Sequence, residues 1–246
     1  CLLAVSRVPS LWRRPRRDEQ RPSMINPQAD LDWREGRVPV CRRFDDPYFS
    51  LEDGLAETRH VFLAGNDLPR RFEDGFHIVE LGFGTGLNLL TALAAWRASC
   101  QTGTLHFTSF EAFPMSPAEM AQAHAAFPML DDLAAELRPL WANLPTIDLP
   151  DLRCRLIVGD ARQTLPTWDG KADAWFLDGF SPAKNPELWQ EDLMRAVADH
   201  TQSEGTAATY SAAGHVRRGL QAAGFRVERA PGYGRKRHMT RAWKGT

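Results

Sequence analysis

The stretch from His77 to Ala98 constrains this chain most. It reads as a short apolar run, His77–Leu81 (HIVEL), then Gly82-Phe83-Gly84-Thr85-Gly86, then the long apolar stretch Leu87–Ala98. A strand that leaves through a glycine turn into a buried helix is the opening unit of an α/β sheet. Glycine permits positive φ and close approach of a ligand to the backbone. The spacing is G-x-G-x-G, with Leu87 where a dinucleotide fingerprint needs its last glycine, and the phosphate loop ending in Gly-Lys-Ser/Thr is also absent. A loop for S-adenosylmethionine remains, involving Glu80, Gly82, Gly84 and Gly86. A purely structural strand-to-helix turn stays open beside it.

The same alternation continues. Leu105–Phe110, Arg153–Val158, Ala172–Leu177 and Thr206–Ser211 read as strands. Ser116-Pro117-Ala118-Glu119 gives an N-cap, a first-turn Pro and a capping-box Glu. Asn185-Pro186 opens a helix expected to run to about Asp199, and the helix after the fifth strand stops at Gly224. Phe225–Arg229 and His238–Trp243 close the chain as a pair without an intervening helix. The expected fold is therefore a class I (Rossmann-like) α/β architecture, a mostly parallel doubly wound sheet with an antiparallel edge strand. Residues 24–75 read as a cap or hairpin region packed on a 76–246 core domain.

Acidic residues recur at the strand ends. Glu111 follows the second strand, Asp160 the third and Asp178 the fourth. In nucleoside-binding sheets an acid after the second strand accepts bonds from ribose hydroxyls, and ligands sit at these carboxyl ends. Asp160 is placed to bond the adenine amino group. Asp178 precedes Gly179-Phe180-Ser181-Pro182 and would face the reactive end of the cofactor. Each acid alone is also a good turn or helix cap.

Composition bounds the alternatives. The chain has 246 residues, with 8 Trp and 13 Phe, enough for a packed core and against disorder throughout. No run of about 18 apolar residues occurs, which excludes a spanning helix of that kind. Cys1, Cys41, Cys100 and Cys154 are scattered, and the His residues show no ligand spacing. We therefore expect idle thiols in a reducing, cytoplasmic setting and no metal. Residues 1–23 carry six Arg against Asp18 and Glu19, a net of +4; they read as a disordered extension or misplaced start ahead of Met24, with an RNA-binding arm as the alternative. Residues 215–246 carry nine Lys or Arg against Glu228 alone, a net of +8; with a total of −1, residues 24–214 carry −13. A basic segment on an acidic body suits a polyanion met at one face, or is simply solvated surface.

The strings Phe44–Ser50 (FDDPYFS), Glu57–Leu63 (ETRHVFL), Glu80–Leu90 (ELGFGTGLNLL), Trp175–Trp189, Ala208–Phe225 and Gly232–Met239 (GYGRKRHM) closely resemble the tRNA wobble-uridine methyltransferases of the MnmC/MnmD type. The resemblance covers roughly residues 40–245. It implies S-adenosylmethionine as methyl donor and the anticodon stem-loop of tRNA as partner. It further implies N-methylation of 5-aminomethyl-2-thiouridine to 5-methylaminomethyl-2-thiouridine. Many relatives carry a fused flavin-dependent oxidase domain; this sequence has no second G-x-G-x-x-G region, so a stand-alone enzyme and a piece of a longer chain both fit.

A primary amine must be neutral to attack. From a reference pKa of about 10.4, that costs roughly 4.6 kcal/mol at pH 7. Asp178 is accordingly expected to orient the amine and accept its proton, while aromatic walls desolvate it. Lys184, Arg235, Lys236 and Arg237 are candidates for phosphate contacts. Phe180 or Tyr233 would stack on the flipped-out base, unless they are ordinary packing. The rival functions are a small-molecule amine methyltransferase and a catalytically silent RNA-binding module on the same fold. A nicotinamide oxidoreductase is disfavoured by the failed fingerprint.

Overall fold

The computed structural model describes residues 28–50 and 53–245. The expectations for residues 1–23 lie outside these. Strands β1 (Leu31–Arg34), β2 (Val38–Cys41) and β3 (Asp46–Pro47) form a small antiparallel sheet. Helix α1 (Gly54–Thr58) continues through a π-helical turn, Arg59–Leu63. Next come β4 (His77–Leu81), α2 (Leu87–Ala98), β5 (Leu105–Glu111), α3 (Pro117–His124) and α4 (Asp131–Leu137). They are followed by β6 (Thr146–Leu149), β7 (Leu152–Val158), α5 (Ala161–Thr164) and β8 (Ala172–Leu177). The chain closes with α6 (Glu191–Asp199), β9 (Thr201–Thr209), α7 (Gly214–Ala222), β10 (Phe225–Pro231) and β11 (His238–Lys244).

The main sheet has the order β10-β11-β9-β8-β4-β5-β7-β6. Strands β7, β5, β4, β8 and β9 run parallel, while β11 is antiparallel to both its neighbours and β6 is antiparallel to β7. The doubly wound sheet expected from the sequence is present, with antiparallel pairing on both sides rather than one. Strand β6 went unread because Thr146–Leu149 is short and only Ile147 is buried.

Alternate residues of each central strand feed opposite cores. Ile78, Phe107 and Phe176 pack on the face covered by α2, whereas Val79, Leu81, Trp175 and Leu177 pack on the face covered by α6 and α7. Helix α2 buries residues around most of its circumference, because the 127–141 segment covers it from outside. Helix α6 shows the one-sided pattern instead, with Leu193, Met194, Val197 and Ala198 inward. Two boundaries differ from the sequence reading. The expected 185–199 helix is a 3-10 turn, Pro186–Trp189, and then α6, separated by extended Gln190. Strand β9 begins at Thr201 rather than Thr206, and Ala172 and Ala174 of β8 pair with it across an irregularity in register.

Helix α3 begins as its sequence dictates. The Ser116 hydroxyl accepts from the Glu119 N–H, and the Glu119 carboxylate accepts from the Ser116 N–H at 2.7 Å. Replacing Ser116 by Ala should therefore cost about 1 kcal/mol, lowering the unfolding midpoint by roughly 2–4 °C in a chain of this size. A calorimetric scan reads this; an unchanged midpoint would mean that the cap contributes nothing.

Candidate functional site

Strands β5, β4 and β8 lie side by side; from β4 the chain moves to β5 on one flank, and after β7 it crosses back to β8 on the other. Ligands of open α/β sheets bind outside the carboxyl ends at this switch point. Gly82 (φ +88°) and Gly84 (φ +54°) occupy left-handed conformations there. A Cβ on Gly82 would collide with the backbone carbonyl of Asp178, and one on Gly84 would lie 3.0 Å from the Tyr48 ring. The turn is thus glycine-rich chiefly because chain packs on chain. A side chain at Gly84 would therefore meet Tyr48 first.

A cavity of about 730 Å³ opens above this turn. It is lined by Gly82, Phe83, Gly84 and Thr85 of the turn and by the acids Glu111, Asp160 and Asp178. Its apolar walls are Phe44, Tyr48, Phe180, Tyr210 and Tyr233. The wall is built jointly by the N-terminal segment and the loop after β8. Phe180 stacks on Phe44 at 4.8 Å and meets Tyr48 edge-on at 5.0 Å. The Ser181 N–H donates to Asp46 at 2.9 Å. Lys184 donates to the Asp45 carbonyl and pairs with the Asp45 and Asp46 carboxylates.

The predicted residues therefore separate. Glu111 holds the turn: its two oxygens accept from the Gly84 and Phe113 N–H groups at 3.0 and 2.8 Å. Burial pushes its pKa up against those backbone donors. Asp160 lines the cavity but caps α5 and shares both oxygens with Arg162, which holds its carboxyl below the usual range. Any bond from an adenine amino group must compete with that guanidinium.

Three predicted residues lie elsewhere than at the cavity wall. Glu80 does not line the cavity; it is fully buried, accepting from Asn88 at 2.7 Å and from Ser109 at 2.6 Å. Gly86 lies outside the lining too, as the left-handed N-cap of α2. Lys184 is turned onto Asp45 and Asp46 rather than outward to a phosphate. Among the basic turn, Arg235 and Lys236 line the cavity and Arg237 does not. Lys236 pairs with Glu57 at 2.7 Å and lies 4.0 Å from the Tyr210 ring centroid, and the Tyr210 hydroxyl donates to the Gly179 carbonyl.

Sequence reasoning missed Asn88, Glu57, Tyr48 and Tyr210. Asn88 had a signal, a polar residue early in an apolar helix. Its amide nitrogen donates to both Glu80 and Asp178, at 2.7 and 2.8 Å. Burial raises the Asp178 pKa to about 7 and the Glu80 pKa to about 8. Among the described residues no cluster of three or more His, Cys, Asp or Glu could hold a metal, and no helix is long and apolar enough to cross a membrane.

The donor set suits S-adenosylmethionine. The cavity has the volume of a cofactor site, and its three lining carboxylates favour a ligand bearing a sulfonium and an ammonium. Residues 126–245 match a family described as S-adenosyl-L-methionine-dependent methyltransferase. Fold, site and match together make the chain a class I, S-adenosylmethionine-dependent methyltransferase. More particularly, it is similar to proteins named tRNA 5-methylaminomethyl-2-thiouridine biosynthesis bifunctional protein MnmC. That of Caulobacter sp. (strain K31) is 48% identical over 234 residues, covering 89% of this chain and 39% of the relative. That of Methylobacillus flagellatus is 46% identical over 224 residues, covering 86% and 34%. The chain thus spans about two fifths or less of these relatives' length. The crystal structure of MNMC2 from Aquifex aeolicus superposes with a TM-score of 0.69 at 26% identity, covering 89% of this chain and 71% of that one.

Glu80 makes stability pH-dependent. Its folded pKa of about 8 lies above the unfolded value of about 4.3. The unfolded chain therefore releases this proton first, and stability should fall as pH rises from about 5 to about 8. In Glu80→Gln that decline should be smaller, leaving a remainder from Asp178. Urea unfolding at pH 5, 6.5 and 8 measures it; identical slopes in both proteins would show that Glu80 does not titrate this way.

Proposed function

We propose that this chain N-methylates the aminomethyl group of 5-aminomethyl-2-thiouridine at the tRNA wobble position, giving 5-methylaminomethyl-2-thiouridine. The observation that carries the reading is Asp178, half-buried at the end of β8 among Phe180, Tyr210 and the glycine turn. Similarity to the MnmC proteins supports the substrate. Within the 24–75 region we treat the described residues, 28–50 and 53–75, as a roof on the methyltransferase domain that starts at 76, and the cytoplasm, where tRNA resides, as its place of work. A flavin-dependent oxidase, fused or separate, is the proposed partner that would supply the amine. The small-molecule alternative leaves the basic turn beside the cavity unexplained, and the silent-module alternative leaves the cofactor-sized cavity with Asp178 in its wall unexplained.

When bound, S-adenosylmethionine supplies an electrophilic methyl group on a sulfonium. Glu111 and the Gly82–Thr85 backbone would hold its ribose and amino-acid ends, with Asp160 beside the adenine. Aromatic walls lower the cost of presenting a neutral amine by excluding water. A full carboxylate would favour the ammonium, but Asp178 with a pKa near 7 is only partly charged at neutral pH. It can therefore orient the amine and then take the proton that the new secondary amine must release. Most of the acceleration then comes from in-line positioning.

Incubation of substrate tRNA with methyl-labelled S-adenosylmethionine, followed by nucleoside mass spectrometry, tests the reading. Label is expected on the wobble uridine. Asp178→Asn should retain cofactor affinity yet transfer methyl at least ~100-fold more slowly, the scale of a lost acid–base group. Wild-type turnover in that variant would remove Asp178 from the mechanism.

The body is acidic, so tRNA must be held by local basic groups, and the 215–246 segment contains the basic turn at the cavity mouth. Arg235 lines the cavity and Arg237 stands two positions on in the same turn, and both are the proposed phosphate contacts. Each contact should contribute roughly −0.7 to the slope of log affinity against log salt for single strands. Replacing both Arg residues by Ala should flatten that slope by about 1.4 with S-adenosylmethionine affinity unchanged. Fluorescence anisotropy with an anticodon stem-loop reads it; an unaltered slope would move the RNA site elsewhere, with the Arg-rich residues 1–23 next.

A further inference from the structure

The amide nitrogen of Asn88 carries two protons, and both are used. One goes to Glu80 Oε1 at 2.7 Å and the other to Asp178 Oδ2 at 2.8 Å. Glu80 cannot swing away, because Ser109 Oγ donates to its second oxygen at 2.6 Å and the residue is 0% exposed. Asn88 is itself 5% exposed, on the first turn of α2. The amide is thus fixed at its far end by a buried acid and grips the cavity acid at its near end. Asp178 Oδ2 is held by that amide and the Gly179 N–H bonds the same carboxylate, whose cavity side faces whatever enters.

We propose that Asn88, held by Glu80, is a positioning residue for the transfer step: it fixes the rotation of the Asp178 carboxylate so that its cavity side meets the acceptor amine, and it sets how readily that carboxylate gains a proton. The proposal rests on the role given to Asp178 above. The groups facing Asp178 come from every adjoining element. Asn88 lies on α2, Glu57 on α1, Lys236 in the β10–β11 turn and Tyr210 after β9, with Glu80 behind Asn88. Burial and Glu57 push the Asp178 pKa up, whereas the Asn88 bond and Lys236 push it down. Removing the amide therefore drives the pKa higher. A hydrogen bond to a charged group is among the stronger ones, so the upward shift should be roughly one to two pH units.

The test is tRNA methylation against pH in wild type, Asn88→Leu, Asp178→Asn, Glu80→Leu and Glu80→Gln, with cofactor binding by calorimetry as the fold control. In Asn88→Leu, kcat at pH 7 should fall roughly 10- to 100-fold. The midpoint of the rising limb should move upward by at least ~1 unit, while S-adenosylmethionine affinity is kept. Glu80→Leu, which frees the amide without touching the cavity wall, should move kcat and midpoint the same way. Glu80→Gln, which restores an acceptor for Asn88, should recover most of what Glu80→Leu loses. If Asn88→Leu does not fold, the Glu80 pair decides alone. Wild-type turnover in Asp178→Asn overturns the role of Asp178. An inactive Asp178→Asn beside Asn88→Leu or Glu80→Leu with wild-type kcat and midpoint overturns the positioning role only. Equal losses in Glu80→Gln and Glu80→Leu overturn it as well.

Discussion

Where β4 and β8 end, the chain leaves no room for a side chain between Gly82 and the Asp178 carbonyl. Most of the site depends on that close approach. It lays the glycine turn directly beside the cavity acid and starts α2 at the switch point of the sheet. The turn N–H of Gly84 then reaches across to Glu111 on the opposite flank, at 3.0 Å. Three separate strand ends become one surface through two backbone contacts. A Cβ at position 82 would push β4 and β8 apart, and the acids with them.

The second dependence is electrostatic. Glu80 lies on the same sheet face as Ile78, against α2, where a charge would be expensive. Burial raises its pKa to about 8, so near neutrality it is mostly the uncharged acid. In that form it anchors Asn88 without placing a full negative charge behind Asp178. The aromatic wall raises Asp178 in turn. Two acids buried for different reasons, one in the core and one at a cavity, are joined by one amide.

Much of this was legible in the sequence because the signals were local. HIVEL followed by Gly82-Phe83-Gly84-Thr85-Gly86 announced a strand, a tight turn and a helix. Ser116-Pro117-Ala118-Glu119 announced a cap that the structure reproduces atom for atom. What stayed illegible was long-range. Nothing near Lys184 in the chain says that its ammonium meets Asp45 and Asp46, 139 and 138 positions earlier. Glu57 and Lys236 are separated by 179 positions. Glu80 looked like a cofactor ligand because it stands in the motif. Strand alternation places it on the face turned to α2, and only Asn88 carries its influence to the cavity.

The cavity is acidic inside and basic at its mouth, and the two parts suit different ends of one substrate. Carboxylates at Glu111, Asp160 and Asp178 favour a cationic ligand and would repel a nucleotide phosphate. A polyanion can approach only if its phosphates stop at the rim while an uncharged base and its amine reach inward. Lys236 stands at that boundary, paired with Glu57 and lying against Tyr210, whose hydroxyl holds the Gly179 carbonyl next to Asp178. A phosphate that drew Lys236 off Glu57 would leave Glu57 unpaired near Asp178, and the added negative charge would raise the Asp178 pKa further. Retaining the Lys236–Glu57 pair keeps that pKa close to neutrality. In the proposed reading, the same pair stands between the basic turn and the acid that would accept the proton.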